Sequence, residues 1–591
     1  MQRVVDWLRD NRTLLWLTCA LCLLRAAPLF SVEAIWPSLE RFYAGTVARE
    51  MADGLKMPLL DYQFSSYEPG WLLAGLLCLP FMKLVGFTSF GMALAGILLD
   101  AIQFVIFYRI LNRYINPRVA LFYGLQYIIA PYILHVTNIF VNFSYFDLPF
   151  LTALFLGMYL KIFRDNGVHA VVGGTGFSLF CLGLLGGFST WLCLAFLLIA
   201  VPCLVHWRVY VRRARPREVG AFLGGFLIGL SPLLLRWSTF AGGIQSGILE
   251  RILAQDAGGF ISRLIGFLAV RPAFAWSVFF QYIEILGVLL FVILIILRRK
   301  ELGRAVSGLF GGRVGAPDDN GLPVIYIVYL LTFITVFCSS DFSNERYFQP
   351  VYPFLFGCNA MAVDGLMRMR SRVWGRIGTG VLTLQLLLAA ADCATVPLYR
   401  TAPNLALFRD RAYSYALIGC LSSWRFRLDP RRVMAIYARL KSDEDRQAYM
   451  RGFGFELAVE SDDTLADDYF QYLREHFPTD DGRRRAFRVG LLLGQGQRQY
   501  EGTALSEFYP TILQSVTREE VRRFVKEQVR LIGFEDDADR PALYAGLGQQ
   551  FFAVAPDIGL PAAEVIPFIE EKYRGDFFQG RLLADRYRDQ I

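Results

Sequence analysis

Thr88-Ser-Phe-Gly-Met-Ala-Leu-Ala-Gly-Ile-Leu-Leu-Asp100-Ala-Ile-Gln-Phe-Val-Ile-Phe-Tyr108 is an apolar run broken by one charge and followed by Arg109, Arg113 and Arg118. A helix needs about 20 such residues to cross roughly 30 Å of hydrocarbon, so the run reads as a membrane span. Ten more runs of similar kind lie near Thr13 to Phe30, Val119 to Val136, Phe140 to Leu160, Ala170 to Gly187, Ser189 to His206, Val219 to Phe240, Val278 to Leu297, Pro323 to Ser339, Tyr347 to Gly365 and Ile377 to Thr395. The expectation is an all-α, polytopic membrane protein of about 11 spans. The first run reads as a retained span, because no A-x-A-like cleavage site follows it before the acidic loop.

Composition agrees and divides the chain. Of 591 residues, 55% are apolar and only 19% charged, and the mean hydropathy is +0.39. Residues 401–591 hold roughly 27 Lys/Arg and 30 Asp/Glu, and the first 400 hold about 33 and 22. A membrane region, 1–395, is thus followed by a polar region, 396–591. The positive excess lies wholly in the apolar part, which argues against nucleic acid as a partner and for a charge bias that orients spans. Cys420 is the one cysteine of the polar region, so no disulfide framework forms there. The Cys19/Cys22 pair lies inside an apolar helix and reads as packing.

With Arg3, Arg9 and Arg12 inside, the clusters Arg109/Arg113/Arg118, Lys161/Arg164, Arg208 to Arg217, Arg298 to Arg304 and Arg368 to Arg376 all fall on the inner side. This holds only if the apolar stretch 70–87 lies along or dips into the outer face instead of crossing. The C-terminal region is then outside, with the loops 31–87 and 241–277 and the turns at Thr137-Asn138 and Ser340 to Arg346.

The first outer loop reads Glu33-Ala-Ile-Trp36-Pro37-Ser-Leu-Glu40-Arg41-Phe42-Tyr43-Ala-Gly-Thr-Val-Ala-Arg49-Glu50-Met51-Ala-Asp53-Gly54, and later Asp61-Tyr62 and Tyr67-Glu68-Pro69-Gly70. Pro37 suits a helix start, Gly54 suits its end, and an apolar face predicts an interfacial helix from about Ser38 to Asp53.

These residues resemble the GT-C superfamily of membrane glycosyltransferases, especially the aminoarabinose transferase and protein O-mannosyltransferase types. The similarity rests on the acidic residue after the first span, Tyr-Ala-x-x-x-Ala-Arg-Glu-Met, the aromatic-Glu-Pro step, Asn142-Phe-Ser-Tyr-Phe-Asp147-Leu-Pro, and Asn344-Glu345-Arg346-Tyr347-Phe-Gln-Pro350-Val-Tyr-Pro353. It covers about residues 10 to 395. It implies a polyprenyl-phosphate-linked sugar as donor, inverting transfer to a lipid, glycan or protein acceptor, a first-loop carboxylate as general base, and basic side chains on the donor phosphate. Glu40 falls where the base belongs. Arg41, Asp61, Glu68, Asp147, Glu345, Arg346 and Tyr347 are the implied donor- and acceptor-binding residues, with Arg346 on the phosphate. The relatives carry Asp-Glu in tandem, whereas this chain has Leu39-Glu40-Arg41. The resemblance sets no metal requirement, and His135, His169, His206 and His476 are scattered, so no metal ligand set is named.

Other readings stay open. Glu40 with Arg41 also reads as solvated charge on an interfacial helix, Asp61 as a turn residue and Glu68 as a helix cap. Asp147 is harder to dismiss, because a carboxylate at a span end is costly unless paired. Asp100 and Glu284 lie within apolar runs, with Arg263 or Arg271 as a partner for Glu284, but no spacing links either acid to chemistry.

The polar region shows helical periodicity and a repeated phrase. Asp445-Arg446-Gln-Ala-Tyr-Met-Arg-Gly452-Phe-Gly454 recurs as Asp539-Arg540-Pro-Ala-Leu-Tyr-Ala-Gly546-Leu-Gly548, with further copies at Arg484 to Gly490 and ending at Gly580. Unequal intervals predict an irregular α-helical repeat array whose glycines allow helices to approach closely, and such arrays bind proteins, peptides or glycans. The function implied is a glycosyltransferase of an inner membrane, bacterial by its Arg-rich composition, with the tail in the periplasm. The alternative is a non-catalytic GT-C-like scaffold acting through that tail.

Overall fold

The computed structural model describes residues 11–27, 39–54, 71–139, 141, 147–165, 175–207, 216–235, 278–309, 321–339, 349–369, 371–395, 415–416, 418–419, 422–423, 430–459, 463–476, 482–491, 517–533, 537, 540–555 and 559–588. All regular structure among them is helical. In chain order the helices are α1 (Arg12–Ala26), α2 (Leu39–Ala52), α3 (Trp71–Val85), α4 (Ser89–Tyr114), α5 (Pro117–Ile128), α6 (Tyr132–Thr137), α7 (Leu148–Leu160), α8 (Thr175–Leu192), α9 (Ala200–His206), α10 (Pro216–Leu235), α11 (Val278–Leu297), α12 (Arg299–Leu309), α13 (Leu322–Ser339), α14 (Tyr352–Met367) and α15 (Arg372–Thr395). The tail adds α16 (Pro430–Arg439), α17 (Asp443–Val459), α18 (Asp463–His476), α19 (Arg518–Ile532), α20 (Arg540–Val554) and α21 (Arg574–Arg588), with an unlabelled helix over 482–491.

Among the described residues, three helices are long and apolar enough to cross a membrane, at Phe90–Tyr114, Pro216–Leu235 and Arg372–Cys393, and six others are shorter apolar helices. Two predicted spans prove discontinuous. The run Val119 to Val136 breaks between α5 and α6, because Pro131 lacks an N–H and biases Ala130 away from helix. The pair Ala170 to Gly187 and Ser189 to His206 divides instead at Cys193, whose backbone is extended, with a 3-10 turn Leu194–Ile199 leading into α9. The apolar stretch after Gly70 forms the 15-residue α3, with Pro80 inside it, shorter than the roughly 20 residues of a span.

The chain forms two compact units: Met1–Pro28, Ser66–Gly70 and Ala95–Leu398, and Leu29–Ser65, Trp71–Leu94 and Tyr399–Ile591. Most of the first outer loop thus belongs to the same unit as the tail.

In the first unit an aromatic core joins Phe104 and Phe107 of α4 to Tyr123 and Tyr127 of α5, and Tyr326 and Tyr329 of α13 to Phe354 of α14, whose ring stacks on Tyr329 at 3.9 Å. At one end of α5, Asn116 caps the helix by accepting from the Val119 N–H at 2.9 Å, with Pro117 following. Its amide also donates to Asp364 at 3.0 Å, and that carboxylate pairs with Arg368 at 2.9 Å and Arg118 at 3.6 Å. Two of the basic clusters assigned to one membrane side therefore meet on a single acid. Helices α8 and α10 pack through reciprocal glycines. A Cβ on Gly183 or Gly187 would overlap the carbonyl oxygens of Phe222 or Phe226, and one on Gly225 or Gly229 those of Phe180 or Leu184. Such small-xxx-small faces let backbones touch where water drives no association.

In the second unit, α2 and α3 pair closely, with Gly75 against Val47 and Ala48. Helix α2 covers nearly the predicted range and ends at Gly54, φ 76°. Asp53 receives Arg49 Nε at 3.1 Å and the Tyr415 hydroxyl at 2.8 Å, joining loop and tail.

The described part of the tail holds two helix pairs with corresponding glycine contacts. Two separate apolar cores form, one around Tyr449, Phe453 and Phe487, the other around Tyr544, Phe551 and Phe577. A Cβ on Gly454 or Gly490 would overlap the carbonyls of Phe487 and Arg451, and one on Gly548 or Gly580 those of Phe577 and Ala545. The four positions correspond pairwise, at offsets of 94 residues for the first helix of each pair and 90 for the second. Three of the four repeated arginines share a role: Arg446 donates to Leu440 O at 3.1 Å, Arg540 to Gly533 O at 2.9 Å and Arg574 to Ile569 O at 3.4 Å. Each of these carbonyls belongs to the residue just past a preceding helical segment, where carbonyls lack intrahelical partners. The unequal sequence intervals thus come from two modules of paired helices with connectors of different length.

Candidate functional site

Among the described residues of the first unit, a dense polar cluster is built on the break in α5–α6. Arg25, near the end of α1 and fully buried, donates Nε to Asp100 Oδ2 at 2.8 Å and Nη1 to His135 Nδ1 at 2.6 Å. A more distant bond runs from Nη2 to the Tyr127 carbonyl, 3.5 Å. Arginine only donates, so Nδ1 of His135 carries no proton, and Nε2–H donates to the Ala130 carbonyl at 3.0 Å. His135 is therefore a neutral imidazole of fixed tautomer. The thiol of Cys393 reaches the same Ala130 oxygen at 3.3 Å. Thus the Ala130 carbonyl, at the break in the helix, has two protein donors, and the Tyr127 carbonyl, which the missing N–H of Pro131 leaves open, receives Arg25.

The other oxygen of Asp100 accepts from the Tyr127 hydroxyl and from Asn138 Nδ2, the latter at 2.9 Å. Tyr127 accepts in turn from Gln103 at 2.5 Å, and Gln349 donates to Asn138 Oδ1. Asp100 thus accepts three donors, one of them charged. A lone intramembrane carboxylate is costly, and this one is neutralised by an equally buried cation. Chemically the cluster is a satisfied latch: it fixes α1, α4, α5, α6 and the segment before α14 to one another, and the lone pairs of Asp100 are engaged.

Sequence patterns alone pass over these residues. Asp100 and Arg25 each stand as one charge within an apolar run, but nothing in the spacing of 75 residues pairs them. The legible signal is the combination of two opposite charges in separate spans with a proline inside a third. Gln349 lies within the Arg346 to Pro353 motif, yet no sequence rule singles it out.

Of the residues implied by the family resemblance, Asp147 is buried, 5% exposed, at the start of α7 with Pro149 in the first turn. Glu40 and Arg41 occupy the first turn of α2. Asp61, Glu68, Glu345, Arg346 and Tyr347 lie outside the described residues, as do the side chain of Glu284 and the positions Arg263 and Arg271. Asp147 belongs to the first unit and Glu40 to the second. No group of three or more His, Cys, Asp or Glu among the described residues is placed to hold a metal ion. Compared with known proteins, the chain matches no family model, no curated protein and no solved structure.

Proposed function

We propose that the chain is a polytopic membrane glycosyltransferase of the GT-C type, moving a sugar from a polyprenyl-phosphate carrier to an acceptor outside the cytoplasm. What supports it most directly is helix α2, which follows the first apolar helix and carries Glu40 in its first turn. In this reaction Glu40 takes the proton of the acceptor nucleophile as that atom bonds to the anomeric carbon. The bond from that carbon to the phosphate oxygen breaks on the opposite face, inverting the centre, and the lipid phosphate departs. Helix orientation finds support too: Arg118 and Arg368, both assigned to the inner side, share Asp364, while Asn138 of an outer turn bonds Gln349, which follows the other outer turn in the first residues of its predicted span.

Glu40→Gln keeps the shape of the side chain and removes the base. Transfer from a polyprenyl-phosphate sugar should fall by at least about 100-fold, with the thermal unfolding of the purified protein unchanged. Undiminished transfer in that variant sinks the catalytic role. A second reading, a non-catalytic GT-C-like scaffold, is favoured by the tail's duplicated modules; it predicts that tail deletion abolishes the cellular phenotype and Glu40→Gln leaves it intact.

A further inference from the structure

Helix α15 opens on two arginines one turn apart, Arg372 and Arg376, and both are exposed. Residues four apart share a helix face, and like charges placed so repel. Arg368, just before them in the chain, pairs with Asp364 at 2.9 Å, and Arg118 reaches the same acid at 3.6 Å. Among the described residues no acid pairs with Arg372 or Arg376. The neighbouring sequence offers none: between Asp364 and Asp392 every charged residue is an arginine. Trp374, 46% exposed, lies on the same turn, and tryptophan settles at the boundary between membrane and water.

From this pair of arginines a trough of about 780 Å³ runs along the helix over Thr379, Gly380 and Thr383 to Leu387. Gly380 has no side chain, and a Cβ there would meet nothing within 4 Å, so the trough is open at its middle. The Thr379 hydroxyl is engaged inside the helix, donating to the Gly375 carbonyl at 3.0 Å. Beyond it the exposed Leu384 and Leu387 make the far end apolar. From Arg376 to Leu387 is 11 residues, or about 16 Å of helix. That length matches one leaflet, half of the roughly 30 Å of hydrocarbon. A free phosphate would use only the arginine end, whereas a lipid with a charged head and an acyl chain would use the whole trough.

We propose that the trough binds one anionic phospholipid of the inner leaflet, its phosphodiester between Arg372 and Arg376 and an acyl chain along Thr379, Gly380 and Thr383. The assignment rests on α15 crossing the membrane with its arginine end inside, and it is independent of Glu40 and of any transfer. The test uses the full chain purified in detergent, with lipid binding read by native mass spectrometry and phosphatidylglycerol, phosphatidylcholine and inorganic phosphate as probes. Phosphatidylglycerol should bind at least about tenfold tighter than phosphatidylcholine, and excess phosphate should not displace it. Arg372→Gln/Arg376→Gln should abolish the preference. Gly380→Leu keeps both charges and fills the trough, and it should weaken phosphatidylglycerol binding by about tenfold as well. All three positions are exposed, so thermal unfolding should not change; should the double variant fail to fold, Arg376→Gln alone decides, with a loss of at least about threefold. Equal binding of the two lipids, displacement by phosphate, or undiminished phosphatidylglycerol binding in either the arginine or the glycine variant overturns the assignment. The span itself is checked separately. In lipid nanodiscs, Thr383→Cys should resist a membrane-impermeant maleimide, with modification at that position read by peptide mass. Labelling there would overturn the span and the lipid site together, whereas protection without a phosphatidylglycerol preference overturns the lipid site alone.

Discussion

The first unit, which holds the three helices long and apolar enough to cross a membrane, and the tail use the same two devices, arginine anchors and glycine-mediated helix contacts, at different depths of burial. In the tail, Arg446 and Arg540 reach a carbonyl past a helix end and an acid three residues before them, with part of each side chain in water. In the first unit, Arg25 and Asp100 are 1% and 4% exposed, so every donor and acceptor must be matched by protein. The difference is one of replaceability. Water can stand in for a lost partner at a half-exposed arginine, whereas nothing stands in for Asp100. The same contrast applies to the helices. An isolated apolar helix keeps its backbone bonds in lipid, but a 15-residue helix such as α20 is marginal alone in water.

The largest effect should follow from Asp100→Asn. It leaves the Arg25 cation buried without the carboxylate that pairs with it. A loss of about 3–5 kcal/mol is expected, read as reduced thermal stability in detergent. The double variant Arg25→Met/Asp100→Leu removes both charges and should recover most of that loss. If Asp100→Asn is as stable as the parent, the cluster is wet or differently paired, and the contrast with the tail breaks.

Next come the glycine contacts. Gly187→Leu and Gly548→Leu both place a side chain where a carbonyl already sits, and overpacking of this kind costs about 1–3 kcal/mol or more. Their consequences should diverge. In the membrane unit, α8 and α10 should part with helical content retained, seen as lost cross-linking between cysteines placed across the pair. In the tail, the second module should lose helix, seen by circular dichroism and hydrogen exchange. Equal loss of helix in both would show that α8 and α10 depend on each other as water-soluble helices do.

How much of this was legible in the sequence follows the same physics. Apolar length and Arg clustering mark membrane helices because hydrocarbon acts on every residue of a run, and α2 between Pro37 and Gly54 was readable because turn chemistry is local. The spacing of Arg446 and Arg540 before their glycines was visible as a pattern. Its meaning, a cap on the preceding helix, required three dimensions. The breaks at Pro131 and Cys193 show the limit of hydropathy: it averages over a window and does not register where backbone bonds are broken. The pairing of Arg25 with Asp100 and of Asn138 with Gln349 is set by helix packing, which no single-sequence spacing encodes. Of the carboxylates and arginines named from the family resemblance, the structure describes the side chain of Asp147, and it is buried.

The smallest effect separates the two tail modules themselves. Tyr544, in the core of the second module, has its pKa pushed up to about 12, first by burial and then by the nearby Glu570 charge. The corresponding residue of the first module is Met450, which does not titrate. An unfolded tyrosine ionises near pH 10. Between about pH 10 and pH 12 the folded second module therefore keeps a proton that its unfolded chain has lost, and folding becomes less favourable as pH rises. The stabilising contribution is whole below about pH 10 and disappears as pH climbs through about 12. Hydrogen exchange around α20 should accelerate across that window more than exchange around α17, and Tyr544→Phe should remove the difference. Parallel acceleration of both modules, unchanged by Tyr544→Phe, would place the alkaline sensitivity elsewhere and leave the two cores equivalent in this respect.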